Sequence, residues 1–313
     1  MDPARPHRID VHHHLYPPGY LARLVARKIA PPPALDWRPE TSIADMDRAG
    51  VATAIVSITA PGLAPVDADF RRAVARECNE FAARMMADHR GRFGSFATLP
   101  LPDIDTSLAE IAHALDVLGA DGIGLLTSYG DRWLGDPVFA PVMDELNRRR
   151  AVVYVHPTAP ECNRNLLPGV LDWVIEFPAD TTRTIASLLF SGTIARCPDI
   201  AFIFAHCGGV LPFISDHLVR AAAIDARLAA AVPGGVRAAL AGFHYDTALR
   251  AHPAALAATL QVLTAAQLLF GTDAPLRVSA DQLQGLLDHG FSPAELHAIE
   301  CGNAQRLLPR WRP

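Results

Sequence analysis

The chain has very little lysine and no excess of positive charge. Its 313 residues include 28 basic side chains, of which Lys28 alone is a lysine, against 33 acidic ones, and the formal net charge is −5. This balance provides no broad basic surface for nucleic acid or for an anionic membrane, so we exclude both kinds of partner. Arginine carries almost all of the positive charge.

Cysteines are few, and their spacing shows no pairing. The five are odd in number, scattered, and without a Cys-x-x-Cys pair: Cys78, Cys162, Cys197, Cys207 and Cys301. This excludes a disulfide framework and a zinc ribbon. Free thiols suit a reducing compartment, so we expect a cytoplasmic protein.

Long apolar runs are also missing. No stretch approaches the length of a transmembrane helix, and the first eight residues are polar and contain proline, unlike a secretory signal. No glycine-rich phosphate loop follows the first apolar run, which disfavours a dinucleotide-binding fold. We therefore expect a soluble globular protein.

Eight short apolar runs alternate with stretches of helical periodicity. The predicted strands are residues 7–15, 51–59, 93–101, 122–128, 152–157, 201–207, 243–247 and 268–272. The predicted helices are residues 68–89, 105–119, 137–149, 181–196, 212–231, 253–266, 279–288 and 293–308. Eight such units favour a (β/α)8 TIM barrel, with a doubly wound sheet as the alternative. We expect one domain over residues 1–313, with loop excursions at 16–40 and 158–179.

The first predicted strand ends in three consecutive histidines, in the stretch Arg-Ile-Asp-Val-His-His-His-Leu-Tyr-Pro. Side chains alternate across a strand, so we expect Asp10, His12 and His14 on one face and His13 on the other. His12 and His14 can then reach one metal ion, while His13 packs behind the barrel wall. Asp10, one step lower on the same face, is expected to orient a ligand histidine.

Three later strands also end in groups that bind metals or carry protons. His156 follows Val-Val-Tyr-Val, His206 follows Phe-Ile-Phe-Ala, and Asp273 follows Leu-Leu-Phe-Gly-Thr. The carboxyl ends of barrel strands surround the active site, so these groups should converge with the histidine pair. Imidazole and carboxylate donors suit zinc, with manganese or iron possible, and favour a catalytic site over a closed thiolate site. Cys207 is expected to face away as a small buried residue.

These motifs together resemble the amidohydrolase superfamily: Ile-Asp-Val-His-His-His-Leu-Tyr-Pro, Val-Tyr-Val-His-Pro-Thr, Phe-Ala-His-Cys-Gly-Gly, Gly-Thr-Asp-Ala-Pro and, near the C-terminus, Gly-Asn-Ala-Gln-Arg-Leu-Leu. The chain is similar to the branch that contains aminocarboxymuconate-semialdehyde decarboxylase and the salicylate-type decarboxylases, in order over nearly its whole length. The resemblance implies that a single divalent metal, zinc foremost or manganese, binds to four residues: His12, His14, His156 and Asp273. His206 is then the catalytic histidine.

The near absence of lysine bears on the number of metal ions. Two-metal members of this superfamily generally bridge their ions with a carboxylated lysine or a glutamate from the fourth strand. Here that strand reads Asp-Gly-Ile-Gly-Leu-Leu-Thr-Ser-Tyr-Gly, and Lys28 lies far away in the first loop. One metal ion is therefore expected.

Within this branch the resemblance implies non-oxidative decarboxylation of an aromatic or unsaturated carboxylic acid. A metal ion would orient the carboxylate and neutralise charge as a Lewis acid. Either Asp273, or a bound water assisted by His206, would supply the proton. The sequence leaves both donors open.

Several residues near the predicted mouth are candidates for substrate contact. Tyr16 follows the first strand, Tyr129 and Trp133 follow the fourth, and Arg183 begins the helix after the fifth. Tyr129 and Trp133 could form an apolar wall for a ring; the alternative is that they pack the loop. Arg183 could pair with a substrate carboxylate; the alternative is an exposed position on the surface. One residue of His244–Asp246, which ends the seventh strand, is also expected to face the pocket.

Two departures from the aminocarboxymuconate enzymes narrow the class of substrate that we expect. Residues 26–40 are short and proline-rich where those enzymes carry an arginine-bearing insertion, and residues 215–220 place an arginine in a different register. The loss of these anchors favours a monocarboxylic acid. Residues 121–129 are most similar to 6-methylsalicylate-type decarboxylases, so an ortho-hydroxybenzoate is the expected substrate and, by the same resemblance, a homodimer the expected assembly.

Two other functions compete with decarboxylation. A single-metal hydrolase of a lactone or amide, or a hydratase, could use the same scaffold. A barrel that only binds a small ligand is the third interpretation. The intact set of four histidines and one aspartate disfavours it.

Overall fold

A ring of eight parallel strands forms the centre of the molecule. The computed structural model describes residues 6–163 and 166–312. Neighbouring strands pair in chain order, as a (β/α)8 barrel requires. The strands are β1 Arg8–His14, β2 Val51–Ser57, β3 Phe93–Thr98, β4 Gly122–Leu126, β5 Val152–His156, β6 Ala201–Phe204, β7 His244–Asp246 and β8 Leu268–Leu269.

Backbone hydrogen bonds close the ring between its first and last strands. The Val11 amide donates to the Phe270 carbonyl at 3.0 Å, and the His14 amide donates to the Ala274 carbonyl at 2.7 Å. A short hairpin of Ser128–Tyr129 and Arg132–Trp133 lies beyond β4. We call it the β4 hairpin.

Helices surround the barrel and join its strands. They are α1 Pro18–Ala26, α2 Pro39–Arg48, α3 Ala68–Asp88, α4 Ile104–Ala112, α5 Ala140–Arg148, α6 Asp172–Phe190, α7 Thr193–Arg196, α8 Leu211–Ile224, α9 Ala226–Ala231, α10 Val236–Ala241, α11 Pro253–Leu260, α12 Ser279–His289, α13 Pro293–His297 and α14 Asn303–Leu307. Among the described residues, no helix combines the length and the apolar character needed to cross a membrane.

All eight predicted strands are present, and the barrel prediction is confirmed. Each strand is shorter than predicted, because the chain leaves regular pairing as it reaches the mouth of the barrel. The sixth strand illustrates this: it ends at Phe204, and His206 and Cys207 already have left-handed backbone angles.

The two predicted loop excursions contain helical segments that the sequence patterns did not indicate. Residues 16–40 contain α1, and α2 begins at Pro39; neither helix was expected. Pro18 and Pro39 occupy first-turn positions, where the missing N–H has no helical partner to lose. Helix α6 begins at Asp172, well before the predicted residue 181, and continues through Pro178.

Three other predicted helices are interrupted. Residues 105–119 and 293–308 contain the wide turns His113–Val117 and Ala298–Gly302, and α13 and α14 flank the second. Residues 212–231 divide at Asp225, whose carboxylate accepts from the Arg227 amide and starts α9. Periodicity therefore predicted where these helical segments lie but not where they are interrupted.

The hydrophobic core has an inner and an outer part. The inner cluster fills the barrel with side chains from alternate strand positions and is closed from below by the C-terminal helices; it includes Ile9, Val11, Ile55, Phe96, Tyr154, Ile203, Leu269, Ala304 and Leu308. The outer cluster packs the opposite faces of the strands against the helices. This double burial explains why the strands are almost continuously apolar.

Between Asp10 and His13, strand β1 carries one extra residue relative to β2, and an opposite shift between Arg8 and Ile9 compensates for it. Asp10 lies opposite Ala54 and His13 lies opposite Val56, so three steps along β1 match two along β2. Such a bulge reverses the alternation of side chains. Ile9 and Val11 point into the barrel below it, and His12 points inward above it.

Candidate active site

Four side chains from three strands bring their ligand atoms together at the carboxyl end of the barrel. His12 and His14 come from β1, His156 ends β5, and Asp273 follows β8. One ligand atom from each lies within 4.8 Å of the other three, and all four residues are buried. We call these four residues the His/Asp cluster.

Each imidazole of the cluster turns its Nδ1 towards an oxygen outside the cluster. The pairs are His12 with the Asp246 carboxylate (2.9 Å), His14 with the Ser57 carbonyl (3.2 Å) and His156 with the Pro157 carbonyl (2.8 Å). A carbonyl oxygen or an ionised carboxylate only accepts hydrogen bonds, so these Nδ1 atoms carry the hydrogen. The Nε2 lone pairs are thereby left facing the centre of the cluster.

The atoms facing that centre are all electron-pair donors. His12 Nε2 lies 3.1 Å from His14 Nε2, and Asp273 Oδ1 lies 3.2 and 3.0 Å from these two nitrogens. Such an arrangement is stable only with positive charge among the donors. Three imidazoles and one carboxylate fit one divalent metal ion and leave room for a further ligand.

Two buried carboxylates dominate the electrostatics. Burial lowers the pKa of His12, but the charges and hydrogen bonds of Asp246 and Asp273 outweigh it and raise that pKa to about 10. Burial raises the pKa of Asp273, but hydrogen bonds with His12 and His14 hold it well below its ordinary value. The cluster therefore favours a bound positive charge, which a metal ion can supply in place of a proton.

Asp246, at the end of β7, orients His12. Besides the His12 ring, its carboxylate accepts from the Tyr154 hydroxyl at 3.2 Å and from the His206 and Ala248 amides at 3.0 and 2.9 Å. The sequence predicted that one residue of His244–Asp246 faces the pocket but did not identify Asp246. Its position at a strand end, like that of His156, was the available signal.

Asp10 does not orient a ligand ring, and that expectation is wrong. Its carboxylate bonds the His13 Nδ1 at 3.0 Å, the Thr272 hydroxyl at 2.6 Å and the His12 amide at 3.0 Å. His13 Nε2 lies 2.8 Å from the Ser42 hydroxyl of α2, outside the barrel. The bulge in β1 places Asp10 with His13 and not with the ligand rings.

His206 lies beside the cluster in a strained backbone conformation. Its φ is +58°, and Asp273 has φ +64°; such angles cost non-glycine residues about 1–3 kcal/mol. Its ring centroid is 4.9 Å from that of His12, and its buried Nε2 has no hydrogen-bond partner among the described residues. Burial lowers its pKa to about 4. Cys207, also buried, packs in the outer cluster, as predicted.

A narrow cavity adjoins His156 on the side of β2, β3 and β4. Its walls are mainly apolar and carry hydroxyl groups but no arginine or carboxylate: Ser57, Ile58, Gly62, Leu63, Thr98, Leu99, Gly124, Leu125, Leu126, Tyr129 and Tyr154. It has room for about one water molecule, so an aromatic ring enters only when wall side chains move. The ring of Phe177 in α6 borders the same histidine, with 6.3 Å between ring centroids.

Of the predicted substrate contacts, Tyr16 and Tyr129 lie near the cluster. The Tyr16 hydroxyl is buried without a hydrogen-bond partner in the described chain, and burial together with the negative charge of Asp273 raises its pKa. Tyr129 lines the cavity, and its hydroxyl accepts from the Leu126 amide at 3.0 Å. A free, buried hydroxyl beside the cluster makes Tyr16 the better placed of the two for a polar ligand.

Trp133 and Arg183 instead meet at a buried carboxylate. Asp180 of α6 accepts from the Trp133 indole at 2.6 Å, the Arg183 guanidinium at 2.8 Å and the Thr127 hydroxyl at 2.5 Å. The guanidinium lies 5.5 Å from the Trp133 ring. These contacts attach the β4 hairpin to α6 and give Arg183 a carboxylate partner within the chain.

Comparisons with known proteins show the family of the chain. The sequence profile of the amidohydrolase family, described as Amidohydrolase, matches residues 9–310. Decarboxylase yanB of Aspergillus niger is 40% identical over 258 residues, covering 77% of this chain and 69% of that protein. A 6-methylsalicylic acid decarboxylase of Penicillium expansum is 34% identical over 314 residues, covering 97% and 96%. The chain belongs to the amidohydrolase family.

A comparison with solved structures shows the fold. A dihydroxybenzoic acid decarboxylase of Polaromonas sp. JS666, solved with bound manganese and the inhibitor 2-nitroresorcinol, superposes with a TM-score of 0.85. The two chains are 22% identical, and the match covers 98% of each. The shared fold is a barrel of the amidohydrolase type.

Proposed function

We propose that the chain is a metal-dependent, non-oxidative decarboxylase of an ortho-hydroxybenzoate such as 6-methylsalicylate. The observation that carries the proposal is the His/Asp cluster, in which three Nε2 atoms and one carboxylate oxygen face a common centre. Relatives named as decarboxylases, including 6-methylsalicylic acid decarboxylases, support the reaction type and the substrate class.

In this proposal His12, His14, His156 and Asp273 hold one divalent ion. A bound ion would supply Lewis-acid chemistry at this position and would help to neutralise the charge of a substrate carboxylate. The donor set favours zinc, and manganese is the alternative because the Polaromonas decarboxylase binds it. Metal analysis of the purified chain decides between them.

His206 is the proposed proton carrier. Its buried Nε2 lies beside the cluster without a partner in the described chain, free to exchange a proton with substrate or water. Asp273 is less suited, because its hydrogen bonds with His12 and His14 keep it ionised. The carbon–carboxylate bond would break to release CO₂ and leave its electron pair on the ring carbon, and His206 would pass to that carbon a proton that it takes from water.

The lining of the cavity beside His156 suits a monocarboxylic aromatic substrate once wall side chains move to admit the ring. Its walls carry no arginine or lysine that could pair with a second carboxylate. Tyr129 offers a ring face, and Tyr16 and Ser57 offer buried hydroxyls that have no partner in the described chain. Hydroxyl donors of this kind suit the phenolic and carboxylate oxygens of a salicylate. Trp133 and Arg183 then act in the wall behind the substrate.

The remaining parts of the proposal concern the cellular compartment, the domain organisation and the assembly of the protein. All five cysteines are free, which suits a cytoplasmic protein. Residues 1–313 form one functional domain, since the family profile extends from residue 9 to residue 310. The assembly is a homodimer.

The test is direct product analysis. We expect 6-methylsalicylate to give CO₂ and 3-methylphenol, and 3-hydroxybenzoate to react at least ~100-fold more slowly, about 3 kcal/mol, because it lacks the ortho hydroxyl that would help to orient a salicylate in the site. Elemental analysis should find about one metal ion per chain, in agreement with one cluster. His156→Ala should lose metal and activity together, whereas His217→Ala, at an exposed position of α8, should keep both.

Two results would contradict the proposal. One is full activity in metal-free protein, which would remove the role of the cluster. The other is hydrolysis of lactones without decarboxylation of any hydroxybenzoate, which would favour the competing hydrolase.

A further inference from the structure

Three polar side chains form a chain of hydrogen bonds on the outer side of strand β1. The Asp10 carboxylate lies 3.0 Å from His13 Nδ1, and His13 Nε2 lies 2.8 Å from the hydroxyl of Ser42 in α2. All three residues are buried, with 0–3% of their surface exposed. We call Asp10, His13 and Ser42 the outer triad, because they lie apart from the four residues of the His/Asp cluster.

The other contacts of Asp10 decide which atoms of the triad carry hydrogen. Its carboxylate also accepts from the Thr272 amide at 3.1 Å, the Thr272 hydroxyl at 2.6 Å and the His12 amide at 3.0 Å. A carboxylate surrounded by such donors acts as an acceptor, so His13 Nδ1 carries the hydrogen of their shared bond. His13 Nε2 then has a lone pair that accepts from the Ser42 hydroxyl.

This order of groups is that of a nucleophile, its general base and the residue that orients the base. Both hydrogen-bond distances lie within the range of about 2.6–3.2 Å in which a base activates a hydroxyl. Such a set is defined by geometry and roles and not by positions in the sequence. The Ser42 hydroxyl can therefore pass its proton to His13, while Asp10 holds the ring and stabilises the positive charge that forms.

A cavity of about 390 Å³ lies against the outer triad, and His13 and Ser42 form part of its wall. Small-molecule sites have volumes of about 300–1,000 Å³, so this cavity is large enough for a small organic ligand. Its apolar wall comes from Pro32, Pro33, Trp37 and Val278. Both prolines and Val278 are exposed, so the cavity opens to solvent. No residue of the His/Asp cluster lines it.

Trp37 supplies a hydrogen-bond donor at the nucleophile. Its indole Nε1 donates to the Ser42 oxygen at 3.0 Å. When that oxygen bonds to an acyl carbon, the same N–H can donate to the carbonyl oxygen, which becomes negative. Ser42 is also the fourth residue of α2, whose amino-terminal end favours negative charge. An acyl group that reacts at Ser42 therefore meets a donor for its developing charge.

We propose that the outer triad is a second catalytic site, at which Ser42 hydrolyses small carboxylic esters that carry an apolar group. The Ser42 oxygen attacks the ester carbon as its proton passes to His13 Nε2. The ester bond breaks, the alcohol leaves with that proton, and Ser42 holds the acyl group. Water then attacks the acyl carbon, one of its protons passes through His13 to the Ser42 oxygen, and the carboxylic acid is released. The reaction is independent of the proposed decarboxylation.

Hydrolysis of 4-nitrophenyl acetate measures the activity. Ser42→Ala should lower kcat at least ~100-fold, because it removes the nucleophile and the proton that His13 accepts. Trp37→Phe, which keeps an aromatic ring but removes the donor, should lower kcat about 10²–10³-fold with little change in KM. Ser107→Ala is the matched control, because Ser107 is also buried and its hydroxyl donates only to the Asp103 carbonyl. The control should keep the wild-type rate; equal rates in all four proteins would overturn the inference.

Covalent labelling identifies the nucleophile without any variant. A fluorophosphonate bonds through phosphorus to an activated serine oxygen, and fluoride leaves. Mass spectrometry of the digested wild-type protein should place the adduct on Ser42. An adduct on other residues alone, or no adduct, would overturn the inference, even if the variants failed to fold.

Removal of metal separates the two proposed sites. After treatment of the wild-type protein with a chelator, ester hydrolysis should remain while decarboxylation is lost. Hydrolysis that disappears with the metal would assign the activity to the His/Asp cluster and overturn the outer triad as a catalytic site. Hydrolysis that depends on Ser42, in a protein that decarboxylates no hydroxybenzoate, would support this inference and contradict the proposed function alone.

Discussion

At the scale of single residues, the site depends on which ring nitrogen of each histidine carries hydrogen. Backbone carbonyls fix this for His14 and His156, because Ser57 and Pro157 provide oxygens that cannot donate. His12 depends on a side chain, the carboxylate of Asp246. That dependence makes Asp246 the most sensitive position outside the cluster.

Asp246→Asn should weaken metal binding by about 10–100-fold, as for other carboxylates that support a ligand histidine. An asparagine amide can donate to Nδ1, which would move the hydrogen of His12 to Nε2 and block the metal position. Metal affinity is measured by competition with a chromophoric chelator. Asp10→Asn is the matched control, because Asp10 is equally buried and bonds His13. The control should lose stability but keep its metal affinity; equal affinities in all three proteins would contradict the role of Asp246.

Much of the site could be predicted residue by residue from strand ends. His156, His206 and Asp273 stop apolar runs, and barrel geometry brings such ends together. Asp246 ends its strand in the same way but stands in a run of three polar residues, so alternation alone could not select it. Asp10 was misplaced because a bulge leaves no mark in local composition.

At the scale of elements, Asp180 attaches the β4 hairpin to α6, and we expect this attachment to position the wall of the proposed substrate site. Asp180 is fully buried and accepts hydrogen bonds from the loop and from the helix. Sequence patterns predicted neither the hairpin nor the early start of α6, since both depend on contacts between segments about 50 residues apart. Helices α1 and α2 were not predicted for a different reason. Each begins with a proline, and in a sequence a proline in the first turn of a helix cannot be distinguished from a proline in a loop.

Asp180→Asn should destabilise the protein by about 2–3 kcal/mol, because at least one buried donor loses a charged acceptor. Trp133→Phe, which removes a single donor, should cost about 1–2 kcal/mol. Chemical unfolding measures both values, and KM should rise in the same order as the hairpin loosens. A hairpin without influence on the site would leave KM unchanged in both variants.

At the scale of the whole molecule, the cluster connects distant parts of the barrel. Its members come from β1, β5 and the segment after β8, so a bound ion links strands across the barrel as well as the two that close it. Ligand binding to the folded state alone stabilises it by mass action. In the proposed function, barrel closure is therefore expected to be coupled to metal content.

Removal of metal by a chelator should lower the melting temperature by about 5 °C or more, as expected for a ligand present well above its dissociation constant. Differential scanning calorimetry with and without added zinc or manganese measures the shift, and metal should restore it. His14→Ala should melt at one temperature in both conditions. A wild-type protein that loses its metal without any shift would show that the ion has no structural role.

The bulge in β1 divides the strand into two parts with different roles. Below the bulge, Ile9 and Val11 fill the interior of the barrel and stabilise its hydrophobic core. Above the bulge, His12 and His14 contribute their ligand atoms to the His/Asp cluster. A local bulge thus lets one seven-residue strand contribute both to the packing of the barrel and to the ligand set of the cluster, so we expect substitutions at Ile9 and Val11 to change the stability of the barrel more than the geometry of the cluster.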